Sequence, residues 1–142
     1  MENSCFNFEV RVYYDSTDAG GVVYHSKYMD FCERARTEFL RSLGITQSVL
    51  LKESGVGFVV RKANLEFKKS AKLDDLLKIT VKVDELTGAV LRLKQDVFLI
   101  SREGVDVENE LLFTLNVEIV AVNREGKLVR IPKDIYNKLL NS

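Results

Sequence analysis

The chain has 142 residues, and its 21 Lys plus Arg balance 21 Asp plus Glu, so the formal net charge is zero. This length fits one domain spanning residues 1–142, and the charge balance argues against bulk nucleic-acid binding. Two cysteines and one histidine, at no metal-ligand spacing, argue against a zinc site.

No transmembrane or secretory segment is predicted. No apolar run approaches the roughly 20 residues that a membrane helix needs. The first ten residues carry Glu2 and Glu9 and lack the apolar centre of a secretory signal. We therefore expect a protein of the reducing cytoplasm, without stable membrane insertion and without nucleic acid as a partner.

The first half of the chain predicts a strand, a loop and a long helix. Apolar residues alternate from Phe6 to Tyr14 with the period of two of a strand. The stretch from Asp15 to Gly21 is rich in Asp, Ser, Thr and Gly, which is typical of a loop. From about Lys27 to Leu43 the apolar spacing becomes three and four, which predicts a well-buried helix. Ser26 is its expected N-cap and Gly44 its expected stop.

The second half predicts mainly strands. A polar stretch at 52–57 comes first, and alternating patterns then predict strands around 63–67, 79–83, 91–99 and 111–121, with turns at 87–88, 102–104 and 123–127. Pro132 is expected to begin a short last helix that ends near Leu140. One long helix followed by an antiparallel meander indicates an α+β fold whose sheet wraps around the helix.

The segment that carries chemistry is the loop before the long helix, with Asp15, Asp18, Gly20 and Gly21. Backbone N–H groups at a helix start can bind an anion and so stabilise an acyl-transfer oxyanion. A nearby carboxylate can activate water or attack the carbonyl carbon, and glycines let the backbone approach a ligand closely. Because an ordinary turn contains the same residue types, the residues alone leave both interpretations open.

This segment resembles the signature of the 4-hydroxybenzoyl-CoA thioesterase family of hotdog proteins. The matching residues are Arg11-Val12, Thr17-Asp18, Gly21-Val22-Val23, Ser26, Tyr28, the run 31–36 and a later turn at 71–75. The chain is most similar to the bacterial acyl-CoA thioesterases associated with the Tol-Pal system. The resemblance implies a hotdog fold, with an antiparallel sheet of about five strands around one long central helix. It also implies hydrolysis of acyl-coenzyme A to a free acid and coenzyme A, without a cofactor. Ala19 replaces a proline of the enzyme that names the family, which puts an aromatic acyl group in doubt.

The resemblance assigns roles to residues around the loop. Asp18 corresponds to the catalytic carboxylate, as nucleophile or general base. The backbone N–H of His25 corresponds to the oxyanion donor, while the His25 side chain could orient water, contact the thioester or simply begin the helix. Tyr14 and Tyr24 flank the loop and could line the acyl pocket or be core or interface aromatics.

Coenzyme A carries phosphates, which favour Arg and Lys as ligands. The candidates are Arg61, Lys62, Lys127 and Arg130, together with Lys68 and Lys69, although no motif fixes these positions. Glu33 and Glu38 are read as helix-stabilising charges, because the loop carboxylate already fits the family pattern.

Two other functions are weighed against hydrolysis. Hotdog hydratases place their Asp and His closer together than the six residues that separate Asp18 from His25. The chain could also be a non-catalytic acyl-CoA or acyl-carrier binding module, or a scaffold for a lipid or envelope complex. Family analogy further predicts a homodimer or homotetramer (a dimer of dimers), with the first strand at the sheet edge or paired with another subunit.

Overall fold

The computed structural model describes residues 5–142, so Glu2 of the argument against a signal lies outside the described residues. Helices follow the first strand and end the chain, and consecutive strands fill the middle. Of these strands only the three long ones between residues 76 and 122 form the predicted antiparallel meander, because the strand before them pairs with the last of the three. In chain order the elements are β1 (Phe6–Arg11), α1 (His25–Ser42), α2 (Gln47–Ser54), β2 (Gly57–Phe67), β3 (Leu76–Leu86), β4 (Val90–Arg102), β5 (Val105–Val122), β6 (Leu128–Val129) and α3 (Lys133–Leu140).

A single antiparallel sheet forms the body of the fold. Its strand order is β1-β3-β4-β5-β2, with the short β6 paired to β5. The sheet therefore has six described strands rather than about five. β1 pairs with β3 and lies at one edge, as predicted for the first strand, while β2 pairs with β5 and lies at the other.

The core lies between α1 and the concave face of the sheet. The apolar stripe of α1 is buried, as its spacing predicted, and consists of Tyr28, Phe31, Cys32, Ala35, Phe39 and Leu40. Alternate residues of the three central strands point at this stripe, among them Leu77, Ile79, Leu93, Val97 and Leu115. A long helix enclosed by an antiparallel sheet is the expected hotdog architecture, and the α+β prediction is confirmed.

The start of α1 differs from the prediction. The helix begins at His25, and Tyr24 rather than Ser26 occupies the N-cap position. Ser26 lies in the first helical turn, so its prediction as the cap is wrong. The stop is confirmed, because Gly44 has a φ of +79°, a left-handed conformation that glycine adopts without strain.

α2 was not predicted, and its composition explains why. None of its residues is buried, so the helix has no apolar stripe for a sequence pattern to reveal. Its last turn occupies part of the polar stretch that had been expected to lead directly into strands. β1 is also shorter than predicted, because the chain leaves the sheet after Arg11 and enters a 3-10 turn at Tyr14–Ser16.

Candidate active site

Asp18 lies at the tip of a narrow hairpin between β1 and α1. Thr17 and Val23 form a β-bridge at the base of this hairpin. Inside it, the Asp18 N–H donates to the Val22 carbonyl at 2.9 Å, and the Gly21 N–H donates to the Asp18 carbonyl at 3.1 Å. Gly21 has a φ of +78°, so the turn needs a residue that tolerates the left-handed region. We refer to residues 17–23 as the catalytic loop, after the role that the family resemblance predicts for Asp18.

One oxygen of the Asp18 carboxylate is held by the backbone of its own loop. Its Oδ1 accepts hydrogen bonds from the N–H groups of Gly20 at 2.8 Å and Val22 at 3.1 Å. Within residues 5–142, Oδ2 has no hydrogen-bond or ion-pair partner, and the side chain is exposed. The carboxylate is thus fixed in orientation by an Asx-type turn, while one oxygen stays open to a ligand.

A second loop, residues 70–75, supports the catalytic loop from below. The Val23 N–H donates to the Ala71 carbonyl at 3.0 Å, and the Leu73 N–H donates to the Gly21 carbonyl at 2.9 Å. Val22 and Lys72 form an isolated β-bridge between the two loops. The catalytic loop is therefore hydrogen-bonded along its second strand to this support loop.

An ion pair with a buried carboxylate holds the support loop in turn. The Asp75 side chain is 1% exposed and accepts two hydrogen bonds from Arg102, at 2.9 and 2.8 Å. Its Oδ2 also accepts the Lys72 N–H at 2.7 Å. The hydrogen bond to Asp75 raises the pKa of Arg102 above its ordinary value. A continuous path of hydrogen bonds thus runs from β4, through the support loop, to the backbone that orients Asp18.

The first turn of α1 presents free backbone donors. The Tyr24 N–H is occupied by the Ser16 carbonyl at 3.1 Å, and the Lys27 N–H by the Tyr24 carbonyl at 3.0 Å. Among the described residues no side chain caps this helix start. The N–H groups of His25 and Ser26 have no acceptor inside a helix that begins at His25. An oxyanion placed there would meet both the N–H groups and the positive end of the helix dipole.

Of the sequence-predicted residues, His25, Tyr14 and Tyr24 accompany Asp18. His25 is the first residue of α1 and is exposed. Tyr14, in the 3-10 turn, and Tyr24, at the N-cap, flank the catalytic loop and are 79% and 49% exposed. Neither tyrosine is a core residue in this chain, so both are free to contact a ligand or a partner.

Four of the predicted phosphate-binding cations, at positions 61, 62, 127 and 130, are not gathered at the catalytic loop of the same chain. The other two, Lys68 and Lys69, directly precede the support loop and form ion pairs with Glu66 at 3.0 Å and Glu110 at 2.7 Å. Arg61 donates to Glu118 at 2.9 Å, and Lys62 is exposed beside it on β2. The Arg130 guanidinium lies directly over Gly88, in the turn after β3, and Lys127 lies in the turn before β6. Because the 11 residues of β3 span roughly 35 Å, Arg130 is at the opposite end of the sheet from the support loop.

The structure adds residues to the site that the sequence reasoning did not assign to it. Phe67, at the end of β2, stacks on His25. Tyr28, which the family motif included without a role, accepts a hydrogen bond from the Ala71 N–H at 2.8 Å. Burial raises the pKa of Tyr28. The Asp75–Arg102 pair also escaped notice, although Asp75 lies in the turn at 71–75 that had been matched to the family.

Comparison with known proteins decides the family. The profile of the Thioesterase superfamily matches residues 20–105, more than half of the chain. The chain belongs to the thioesterase superfamily. The acyl-CoA thioesterase YbgC of Haemophilus influenzae is 47% identical over 111 residues, which cover 75% of this chain and 82% of that protein.

Solved structures agree with this membership. A probable thioesterase from Bartonella henselae is 37% identical to this protein and has a TM-score of 0.79. The match covers 91% of this chain and 100% of the Bartonella chain. The 4-hydroxybenzoyl-CoA thioesterase of Pseudomonas sp. strain CBS-3 is 18% identical, with a TM-score of 0.85 over 94% and 98% of the two chains. The second likeness is one of fold alone.

Neither a metal cluster nor a membrane-spanning helix is found in the part of the chain that the structure describes. Across residues 5–142 no three His, Cys, Asp or Glu side chains come together as a group that could hold a metal ion. The helices of the same residues are too short or too polar to cross a bilayer.

Proposed function

We propose that this superfamily member hydrolyses acyl-coenzyme A to a free acid and coenzyme A, with Asp18 as its catalytic carboxylate. The observation that carries the proposal is the Asp18 side chain, whose Oδ1 is anchored by two backbone N–H groups while Oδ2 stays open. The catalytic loop leads directly into the uncapped start of α1. The name of the Haemophilus relative, an acyl-CoA thioesterase, supports the same substrate class.

The geometry suggests how the thioester would be cleaved. The acyl carbonyl oxygen would accept hydrogen bonds from the free N–H groups of His25 and Ser26, which stabilise the negative charge of the tetrahedral intermediate. Asp18 Oδ2 would either attack the carbonyl carbon, forming a mixed anhydride that water then hydrolyses, or take a proton from the water that attacks. In both cases coenzyme A leaves as the thiolate, and the acid carries the oxygen of water or of Asp18.

The decisive experiment compares two Asp→Asn variants on a panel of short, long and aromatic acyl-CoAs, with products separated by chromatography. Asp18→Asn keeps the shape of the side chain and removes the anionic oxygen, so turnover should fall by at least about 10²-fold. Asp15→Asn is the matched control, because Asp15 lies in the adjacent 3-10 turn, where it accepts a hydrogen bond from Ser16 at 3.2 Å.

Three results would count against the proposal. If Asp18→Asn is as active as the wild type, Asp18 is a structural turn residue. If both variants lose activity equally, the loop rather than the Asp18 oxygen has been disturbed. If the wild type binds acyl-CoA but cleaves no member of the panel, the chain is a binding module.

We further propose that the working unit is a homodimer or a dimer of dimers. β2 is an edge strand with unpaired backbone groups, and it exposes Val59, Val60, Leu65 and Phe67 by 38–44%. An apolar edge of this kind is a template for pairing with another strand. Because Lys127 and Arg130 lie far from the catalytic loop of their own chain, they would reach coenzyme A phosphates only across subunits.

Light scattering after size exclusion tests the assembly, and a monomer at assay concentration would contradict it. The remaining phosphate candidates, Arg61 and Lys62, lie on the same β2 edge and would be tested by their effect on KM. A cytoplasmic location remains the prediction that the sequence supports.

A further inference from the structure

The only histidine of the chain is held by an aromatic ring from a distant strand. The His25 imidazole stacks on the Phe67 ring with the ring centroids 4.2 Å apart and the planes 26° from parallel. His25 begins α1, whereas Phe67 ends β2, which lies at the sheet edge opposite β1. This contact therefore joins two elements that share no backbone pairing.

Phe67 is itself fixed by buried aromatic residues. Its ring meets the Tyr28 ring edge-on at 5.5 Å and the Phe113 ring at 4.9 Å. Tyr28 and Phe113 are 5.1 Å apart and at most 1% exposed. Tyr28 also accepts the Ala71 N–H, so the cluster is tied to the support loop. Phe67, although 38% exposed, thus has a rigid base and offers one ring face to His25.

The stack lies at the first turn of α1, a helix start that no side chain of the described residues caps. A helix start without a side-chain cap tends to fray, because its first N–H groups lack partners and nothing fixes the first turn. Here the described residues supply no such cap, and the imidazole–phenyl contact restrains the first residue instead. The donors proposed for the oxyanion hole are the N–H groups of this same turn, and donors of that kind act only when they are held in place beforehand.

We propose that Phe67 is a positioning residue for thioester hydrolysis, acting through His25 to hold the first turn of α1 against the catalytic loop. The inference rests on the proposed function, since it concerns the same oxyanion donors. The Asp18 carboxylate has anchors within its own loop, because its Oδ1 accepts hydrogen bonds from the N–H groups of Gly20 and Val22. Loss of the ring should therefore reduce kcat while leaving substrate affinity largely unchanged.

The test uses the full-length protein and two substitutions at the same position. Phe67→Leu removes the ring and keeps an apolar side chain, whereas Phe67→Tyr keeps the stacking surface and is the matched control. We expect Phe67→Leu to lower kcat by roughly tenfold to a hundredfold, the range that a misplaced catalytic group costs, with KM changed by less than about twofold. Phe67→Tyr should keep the kcat of the wild type.

A nuclear magnetic resonance measurement reads the stack independently of activity. Because His25 is the only histidine, its imidazole C–H signals can be assigned without further variants. Stacking over Phe67 should shift them upfield through the ring current in the wild type and in Phe67→Tyr. In Phe67→Leu they should return toward the positions of an unstacked histidine. The wild-type spectrum alone keeps the proposal falsifiable if Phe67→Leu does not fold.

Several outcomes overturn the inference. Unshifted imidazole signals in the wild type would mean that the stack does not form in solution. A lost ring-current shift with unchanged kcat would mean that the stack positions nothing. A raised KM at constant kcat would make Phe67 a substrate contact instead. Failure of the proposed function has a different signature, because it is seen in the wild type or in Asp18→Asn, whereas failure of this inference is seen among Phe67 variants of an active enzyme.

Discussion

Breaking the Asp75–Arg102 pair should destabilise the fold, and by different amounts from its two sides. The Asp75 side chain is 1% exposed and the Arg102 side chain 31%. Arg102→Met removes the guanidinium and leaves the buried carboxylate with only the Lys72 N–H as a donor. Asp75→Asn leaves a guanidinium that water can reach, beside an amide oxygen that can still accept a hydrogen bond.

The expected magnitudes follow from this asymmetry. Removing one partner of a buried ion pair costs roughly 3–5 kcal/mol of unfolding free energy, because the other charge stays uncompensated. We expect Arg102→Met to cost about 4 kcal/mol on that basis. For Asp75→Asn we expect about 2 kcal/mol, the scale of one hydrogen bond to a charged group. The double variant should cost less than the sum by about 1–3 kcal/mol, since its second substitution removes a charge that is already unpaired.

Urea unfolding of the four proteins at one fixed protein concentration measures these free energies, because an oligomer's stability depends on concentration. Arg102→Lys is a useful control, since it keeps the charge but cannot form the two parallel hydrogen bonds. If each single variant lowers the unfolding free energy by less than about 1 kcal/mol, the pair behaves as an exposed salt bridge. The ion pair would then not stabilise the support loop as we infer. Equal costs for Arg102→Met and Asp75→Asn would refute the asymmetry.

Two further predictions concern buried groups of the core. Burial raises the pKa of the Cys32 thiol to about 12. A thiol reagent near pH 8 should therefore label only the exposed Cys5 in the native protein and both cysteines in urea. Rapid labelling of both cysteines in the native protein would contradict the burial of Cys32. Since the raised pKa disfavours the thiolate in the folded state, the stability from Cys32 is complete below its ordinary value of 9.0 and is lost as pH rises toward 12. Cys32→Ala should flatten that alkaline decline in urea titrations. Tyr28→Phe leaves the buried Ala71 N–H without its acceptor and should cost about 1–3 kcal/mol in the same unfolding assay, whereas a neutral effect would indicate that water or a shifted backbone replaces the hydroxyl.

Features that depend on nearby residues could be predicted from the sequence. The stripe of α1 was predicted because residues three and four apart share a face, and the buried face of the helix then needs apolar side chains. The turn at 102–104 and the stop at Gly44 were predictable because glycine marks left-handed backbone positions. The carboxylate of Asp18, ahead of a helix, was recognisable because the loop and the helix start are adjacent in the chain.

Local patterns failed where a face is not buried or where two segments meet only after folding. α2 buries no residue, so its helical spacing left no apolar signal. Tyr24 rather than Ser26 occupies the N-cap position, and its N–H donates to the Ser16 carbonyl across the catalytic loop. The capping preference of a single residue type cannot predict such a contact.

The sequence by itself determined the long helix, the alternating strands and the loop carboxylate ahead of the helix, because each is expressed in spacings of a few residues. Only the tertiary structure decided which groups support that site. Phe67 is 42 residues from His25, and Asp75 is 27 residues from Arg102. The wrapping of the sheet around α1 sets both separations in space, and no local periodicity encodes it. The same wrapping carries Arg130 to the opposite end of the sheet and leaves Asp18 with backbone donors as its immediate neighbours.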